Sequence, residues 1–353
     1  MKRLATILVM MSLVCAGDIF ACTTVIISAK ASASGRPIIW KQRDTSGQFN
    51  YLDHFAGGSF PFTGIVASDD ADRESVWCGV NKAGFAIMNS QSYGLSPLKG
   101  VDRPYEGMVM KRALETCSTV HDFEMYIASL PQPNGLEANF GVIDAFGGAA
   151  FFEVHDYGYQ RFDASDTREG YLIRTNYSFT GREREGHGYD RYERAAAKMA
   201  AHSGGFTPAW LIDELGRDDL IARGTTTCSV AVEGVAFRER PDASCIWCCP
   251  GHPLGSYTVC AWMAAGDRIP RVLRSSRGRG DHTSMYSPLN EIADALKGKD
   301  VLAAVMEAER EELSDAETLD HSFRQNGFDP VLLASYNDAA DARFDLFRKS
   351  VGF

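Results

Sequence analysis

The chain has 353 residues, 45% hydrophobic and 23% charged, which is length and apolar content enough for one large core or two small ones. Its formal net charge is −10 and no dense lysine or arginine run interrupts it, so nucleic acid is excluded as an expected partner. The mild acidity reads as a solubility feature and not as a clue to substrate.

Residues 1–21 have the layout of a secretory signal. Lys2 and Arg3 form a charged start, residues 4–17 an apolar centre, and small Ala21 the position before a cut. That centre is too short to stay as a membrane anchor, and no later stretch is long and apolar enough for a transmembrane helix. Export to a periplasmic or extracellular, oxidising compartment is therefore expected. Nine cysteines include Cys15 in the signal, leaving eight in the mature chain. With Cys22 set aside as a nucleophile, seven remain, and an odd number leaves at least one without an intrachain partner.

Cleavage after Ala21 would make Cys22 the first residue. It would then carry an α-amine that titrates near ~7.7–8.0 beside a thiol that titrates near ~8.5. A desolvated terminal amine can take the thiol proton at neutral pH, so the nucleophile brings its own base. A competing reading takes Cys22 as a lipid-modified cysteine on a surface-anchored binding module. Ile19 and Ala21 suit that reading, and bulky Phe20 does not. No papain-type signature flanks any cysteine.

From Cys22 the run Thr-Thr-Val-Ile-Ile is β-branched and reads as a strand, residues 30–35 as a small polar turn, and residues 36–44 as a second strand ending in charge. Such a hairpin returns Lys41, Arg43 or Asp44 toward Cys22. A loop with Asp53 and His54 follows, then a strand over 60–67. Residues 77–90 read as strand, turn, strand, with Asn89 near the end. The plain reading of Asn89 is an asparagine bonding its own backbone. Helical spacing runs through 104–130. Residues 139–144 and 149–154 read as a buried hairpin, and residues 171–178 as a strand that ends in polar residues including Asn176. A helix is expected from Gly188 to about His202 as scaffold. Arg223 lies in a turn entering a strand over 226–232, where its plain reading is a solvated turn residue. Cys245, Cys248, Cys249 and Cys260 cluster around His252. Cys245 and Cys248 would not share a face of one strand, so buried or disulfide-linked cysteine is preferred to zinc. Residues 274–281 read as a connector. Helical patterns then cover 287–297, 300–312 and 330–350, with the acidic stretch 307–317 as a solvated face.

Three separated stretches carry a family resemblance: Cys22-Thr23-Thr24 with Trp40-Lys41-Gln42-Arg43-Asp44, Asn81 to Asn89, and Arg174-Thr175-Asn176-Tyr177-Ser178 with Gly188-Tyr189-Asp190-Arg191-Tyr192. In this order they resemble the N-terminal-nucleophile cysteine hydrolases of linear amides, in particular the penicillin acyltransferase-like peptidase family. Relatives there include bile salt hydrolases, penicillin V acylases and acid ceramidase, and secreted dipeptidases open similarly. The resemblance spans 22–275. It implies an α+β fold, a four-layer αββα sandwich, with 276–353 as a helical extension packed on the same domain; pattern alone supports only a mixed α/β chain. It implies Cys22 as nucleophile, Asp44 holding its amine, Asn89 and Asn176 as oxyanion donors, and Arg223 as a catalytic-region arginine. Bile salt hydrolases and acid ceramidase carry an arginine three residues before the matched aspartate. Here Lys41 stands there and Arg43 is next to Asp44, which departs from the pattern because lysine lacks the guanidinium fork. The implied activity is amide hydrolysis through an acyl-enzyme, or acyl transfer to a second amine. The substrate would be a small-molecule amide or short peptide. No cofactor or metal is expected, and the sequence carries no signal for oligomeric state.

Overall fold

The computed structural model describes residues 21–45, 49–98, 105–275 and 286–353. The signal expected over 1–21 (all but Ala21) and most of the connector expected over 274–281 lie outside these residues. Two antiparallel sheets and several helices form an α+β fold. The strands of the first sheet are β1 (Ala21–Ile27), β2 (Ile38–Asp44), β10 (Tyr171–Arg174), β11 (Thr226–Glu233), β12 (Cys245–Pro250) and β13 (Val259–Trp262). They lie in the order β10-β1-β2-β11-β12-β13. The second sheet comprises β3 (Asn50–Phe55), β4 (Phe62–Ala67), β5 (Cys78–Asn81), β6 (Ala86–Gln91), β7 (Glu137–Ile143), β8 (Ala149–His155) and β9 (Gly158–Asp163). These seven follow one another in chain order.

Strand alternation decides which side chains meet. Ile26 faces Ile39 across the β1–β2 ladder, and both join Met88 and Phe151 of the second sheet in one buried cluster. Cys22 and Thr24 lie at the same parity as Ile26, so they also face the space between the sheets. Val25, Ile27 and Trp40 point the other way. They pack under α3 (Tyr189–Ala201) through Ala195 and Met199. Phe140 and Phe152 cover the far face of the second sheet beneath α1 (Glu106–Thr116) and α2 (Val120–Ala128). Each fully buried side chain of this kind contributes about 1.5–3 kcal/mol.

Three helices close the chain: α4 (Pro288–Ala295), α5 (Leu302–Asn326) and α6 (Pro330–Ser350). Leu319 and Phe323 of α5, with Tyr336 of α6, pack on Trp262 and Cys260 of β13. Several expectations change here. Asp53 and His54 sit in strand β3 and not in a loop, because that run pairs with β4 over its whole length. The second C-terminal helix runs on to Asn326. The acidic stretch 307–317 is not all solvated: Glu309 and Glu312 are buried. Arg217 Nη1 pairs with Glu309 at 2.8 Å, and Arg343 pairs with Glu312, so the charges are neutralised on burial. All eight cysteines among the described residues are buried free thiols.

Candidate active site

Cys22 stands where the ladder between β1 and β10 runs out. The last paired residues are Thr24 and Arg174, so Asn176 comes level with Cys22 just beyond the strand end. There the chain turns away, and Asn176 makes an isolated bridge to His187. The main-chain N–H of Cys22 therefore meets a side chain: it donates to Asn176 Oδ1 at 2.9 Å. Asn176 Nδ2 donates to the Gln91 carbonyl at 2.8 Å, which ties this corner to the end of β6. The resemblance implies an oxyanion role for Asn176; in this geometry its carbonyl oxygen holds the nitrogen of Cys22 and its amide nitrogen the Gln91 carbonyl.

Arg191, expected to be scaffold, enters the site from the first turn of α3. Its Nη1 donates to the Cys22 carbonyl at 2.6 Å and to Thr23 Oγ1 at 2.9 Å, and its Nη2 donates to Asn176 Oδ1 at 2.7 Å. A cation at a helix N-terminus opposes the macrodipole by about 0.3–1 kcal/mol. Hydrogen bonds to charged groups are each worth about 1.5–3 kcal/mol, so the three contacts prevail. Two features of the sequence mark Arg191: a cation in the first turn behind a glycine, and its place in the Gly188-Tyr189-Asp190-Arg191-Tyr192 stretch that carries the resemblance.

Asp44 closes the other side. It is the register partner of Ala21, and its carboxylate accepts from Thr226 Oγ1 at 2.6 Å and Arg223 Nε at 3.2 Å. A bulge in β11 makes this pairing work. Thr226 opposes Asp44 and Cys228 opposes Arg43, with Thr227 extra between them. Burial pushes the Asp44 carboxyl up to about 6, against the opposing pull of Thr226, Arg223 and Arg191. Arg223 thus lies on Asp44 and not on Cys22.

Arg43 is the cross-strand neighbour of Cys22 and shares its face. Its guanidinium lies 5.0 Å from the Trp77 ring centroid, and its Nη1 donates to Asn50 Oδ1 at 2.9 Å. Lys41, two residues back on the same face, spans to the second sheet. Its Nζ donates to Asn89 Oδ1 at 2.6 Å and to the Trp77 carbonyl at 3.0 Å. Burial pushes the Lys41 ammonium down, and negative charge on Cys22 would work the other way.

No protein-family model matches this chain, and no curated protein matches it. Among solved structures it is similar to a Caenorhabditis elegans ortholog of N-acylethanolamine-hydrolyzing acid amidase, with a TM-score of 0.49 and 13% identity over 60% of this chain and 92% of that one. It is also similar to penicillin V acylase from Agrobacterium tumefaciens, with a TM-score of 0.46 and 13% identity over 69% of this chain and 86% of that one. A mutant of the conjugated bile acid hydrolase from Clostridium perfringens matches at a TM-score of 0.39 and 11% identity, over 69% of this chain and 92% of that one.

What Cys22 can do is read from its own surroundings. The thiol faces a space between the sheets that also holds two buried cations, Lys41 and Arg43. Its nitrogen is fixed by Asn176, and a buried carboxylate lies at the level of the preceding residue. That combination suits nucleophilic attack on a carbonyl with a nearby proton carrier. Among the described residues, no group of three or more His, Cys, Asp or Glu side chains is placed to hold a metal ion. Cys245 and Cys248 do lie on opposite faces of β12: Cys245 joins the outer cluster and Cys248 the inner one.

Proposed function

We propose that this chain is an amide hydrolase of the N-terminal-nucleophile class, exported and trimmed after Ala21, which cleaves the linear C–N bond of an N-acyl amide or short peptide. The observation that carries this reading is the hydrogen bond from the Cys22 main-chain nitrogen to Asn176 Oδ1. That nitrogen becomes the α-amine once residues 1–21 are removed, and its acceptor is already in place. The Asp44 carboxylate, now level with Ala21, would then neighbour the new amine.

The reaction divides among the chain's own groups. The Cys22 thiol gives its proton to the α-amine, and its sulfur attacks the substrate carbonyl. Arg191, bonded to both the Cys22 carbonyl and Asn176, disfavours a second positive charge there and keeps the amine available as a base. Asp44 opposes that effect, which lets the amine carry the proton during the step. Asn89 stabilises the oxyanion, and Arg43 balances charge on the sulfur. The amine returns the proton to the leaving nitrogen, and water, or a second amine in an acyltransferase, releases the acyl group. The αββα sandwich expected from the family resemblance suits this arrangement, since its two sheets would carry the reacting groups between them.

The lipid-anchored alternative fits the geometry poorly. It would acylate the Cys22 nitrogen that already donates to Asn176 Oδ1, and it gives the buried Asp44 carboxylate and the Lys41–Asn89 contact no task. The test is to express the full chain with export and take its intact mass, then treat it with iodoacetamide and assay a panel of N-acyl amides. A start at Cys22 with a free amine, and hydrolysis lost on alkylation and in Cys22→Ser, is the expected result. A start elsewhere, a blocked amine, or undiminished hydrolysis by Cys22→Ser would overturn the reading.

A further inference from the structure

Lys41 stands out as a charge with an unexplained task. It is 1% exposed, yet no carboxylate is paired with it among the described residues. An ammonium is costly to bury, so its acceptors have to offset a penalty of several kcal/mol. Those acceptors are the Asn89 side-chain oxygen at 2.6 Å and the Trp77 main-chain oxygen at 3.0 Å. Both lie on the side of the opposite sheet: Asn89 sits in its strand β6, and Trp77 lies just ahead of its strand β5. Lys41 is therefore a strut from the strand beside Cys22 to the strand that carries Asn89.

The strut decides which way Asn89 faces. A primary amide has an oxygen that accepts and a nitrogen that donates, and nothing in its shape distinguishes the two ends. An ammonium has donors only, so it captures the oxygen and excludes the nitrogen. Among the described residues, Asn89 Nδ2 has no hydrogen-bond acceptor. We propose that Lys41 is the positioning residue that orients Asn89, holding its oxygen so that its N–H donors serve the oxyanion formed on Cys22. The proposal rests on Cys22 being the acyl-accepting nucleophile. It gives Lys41 and Arg43 separate tasks: Arg43, the register partner of Cys22 on the same strand face, supplies positive charge near the thiol, and Lys41 acts through Asn89.

Two probes separate these tasks. p-Nitrophenyl octanoate acylates a thiol through a tetrahedral oxyanion and releases p-nitrophenolate. Iodoacetamide alkylates the same thiol by displacement of iodide and forms no oxyanion. In the processed protein, Asn89→Ala should slow the p-nitrophenolate burst by about 10²–10³-fold, the usual effect of losing one oxyanion donor. Alkylation of Cys22 should change by less than about threefold, because displacement of iodide develops no oxyanion for Asn89 to bind. Lys41→Met should slow acylation by at least about tenfold more than it slows alkylation, and in the Asn89→Ala background it should cost acylation little beyond its effect on alkylation, since the two act as a unit. Asn89→Asp keeps an oxygen for Lys41 but removes the donors. It should retain the fold, monitored by circular dichroism, and lose acylation as Asn89→Ala does.

Equal slowing of acylation and alkylation by Lys41→Met would place Lys41 on the thiol and overturn the proposal. Full additivity of Lys41→Met with Asn89→Ala, or acylation by Asn89→Asp at the parent rate, would also overturn it. Failure of the underlying reading looks different: the parent would then give no burst, or Cys22→Ser would give the same one.

Discussion

Asp44 holds a carboxyl group inside the protein with one hydroxyl and one guanidinium as partners, and burial raises it to about 6. An ordinary aspartate titrates near ~3.9, so the difference corresponds to something on the order of 3 kcal/mol. The direction follows from which state holds the proton. Below about pH 4 both folded and unfolded chains hold it. Between that point and about 6 the unfolded chain has released it while the folded one keeps it, and stability falls as pH rises through this window. In a chain that retains Ala21, the urea midpoint of the parent should therefore drop relative to Asp44→Asn between about pH 4 and about pH 7. Removing Ala21 should shrink that gap, because the new α-amine supplies a positive neighbour. A gap that is constant with pH, or the same in both forms, would refute this account of Asp44.

Among the elements, α3 does the most to shape the site, and it does so through its first turn. Gly188 precedes the helix with φ +79°, and a Cβ there would lie 2.3 Å from Arg191 Nη2. Both the backbone and the close approach require glycine. Gly188→Ala should cost about 1–2 kcal/mol from the left-handed conformation alone. It should also displace Arg191 from the Cys22 carbonyl, lowering the acylation rate by at least about tenfold. Thermal melting and the p-nitrophenolate burst read the two effects separately, and a variant with lowered Tm but an unchanged burst would show that Arg191 is structural only. The β11 bulge is the second device at this scale. Without the extra residue Thr227, Cys228 and Thr226 could not face Arg43 and Asp44 in turn.

Across the whole molecule, the two sheets are joined beside the site by a buried ion pair. Arg174 Nε, at the end of β10, lies 2.7 Å from Glu153 Oε1 in β8, and both side chains are almost wholly enclosed. Glu153 also accepts from the Phe179 and Thr180 main-chain nitrogens, and the Arg174 guanidinium lies 3.9 Å from the Phe179 ring centroid. The pair thereby pins the turn that presents Asn176. Arg174→Met leaves Glu153 as an uncompensated buried charge and should cost about 3–5 kcal/mol in urea unfolding. A joint replacement by Arg174→Met and Glu153→Leu should recover only part of that loss, because it removes the buried charge but also the acceptor for the Phe179 and Thr180 main-chain N–H groups. A cost below about 1 kcal/mol for Arg174→Met would mean the pair is not holding the sheets in register.

Much of this was already legible in the chain. Alternating β-branched residues marked β1, the polar turn at 30–35 made the hairpin with β2, and strand parity put Arg43 and Asp44 on opposite faces. Those inferences hold because strand geometry is local, repeating every two residues whatever lies beyond. The partners of each group were decided by tertiary structure. The acceptor for the Cys22 nitrogen lies 154 residues away, the donor to its carbonyl 169, and the acceptor for Lys41 48. No periodicity reaches over such distances, and an arginine in a first helical turn or a lysine in a strand has the same local pattern whether it faces water or a thiol. Only the packing of β10, α3 and the second sheet against β1 and β2 made Arg191 and Lys41 part of the site. The same packing enclosed Glu309 and Glu312, which sequence pattern had assigned to the surface.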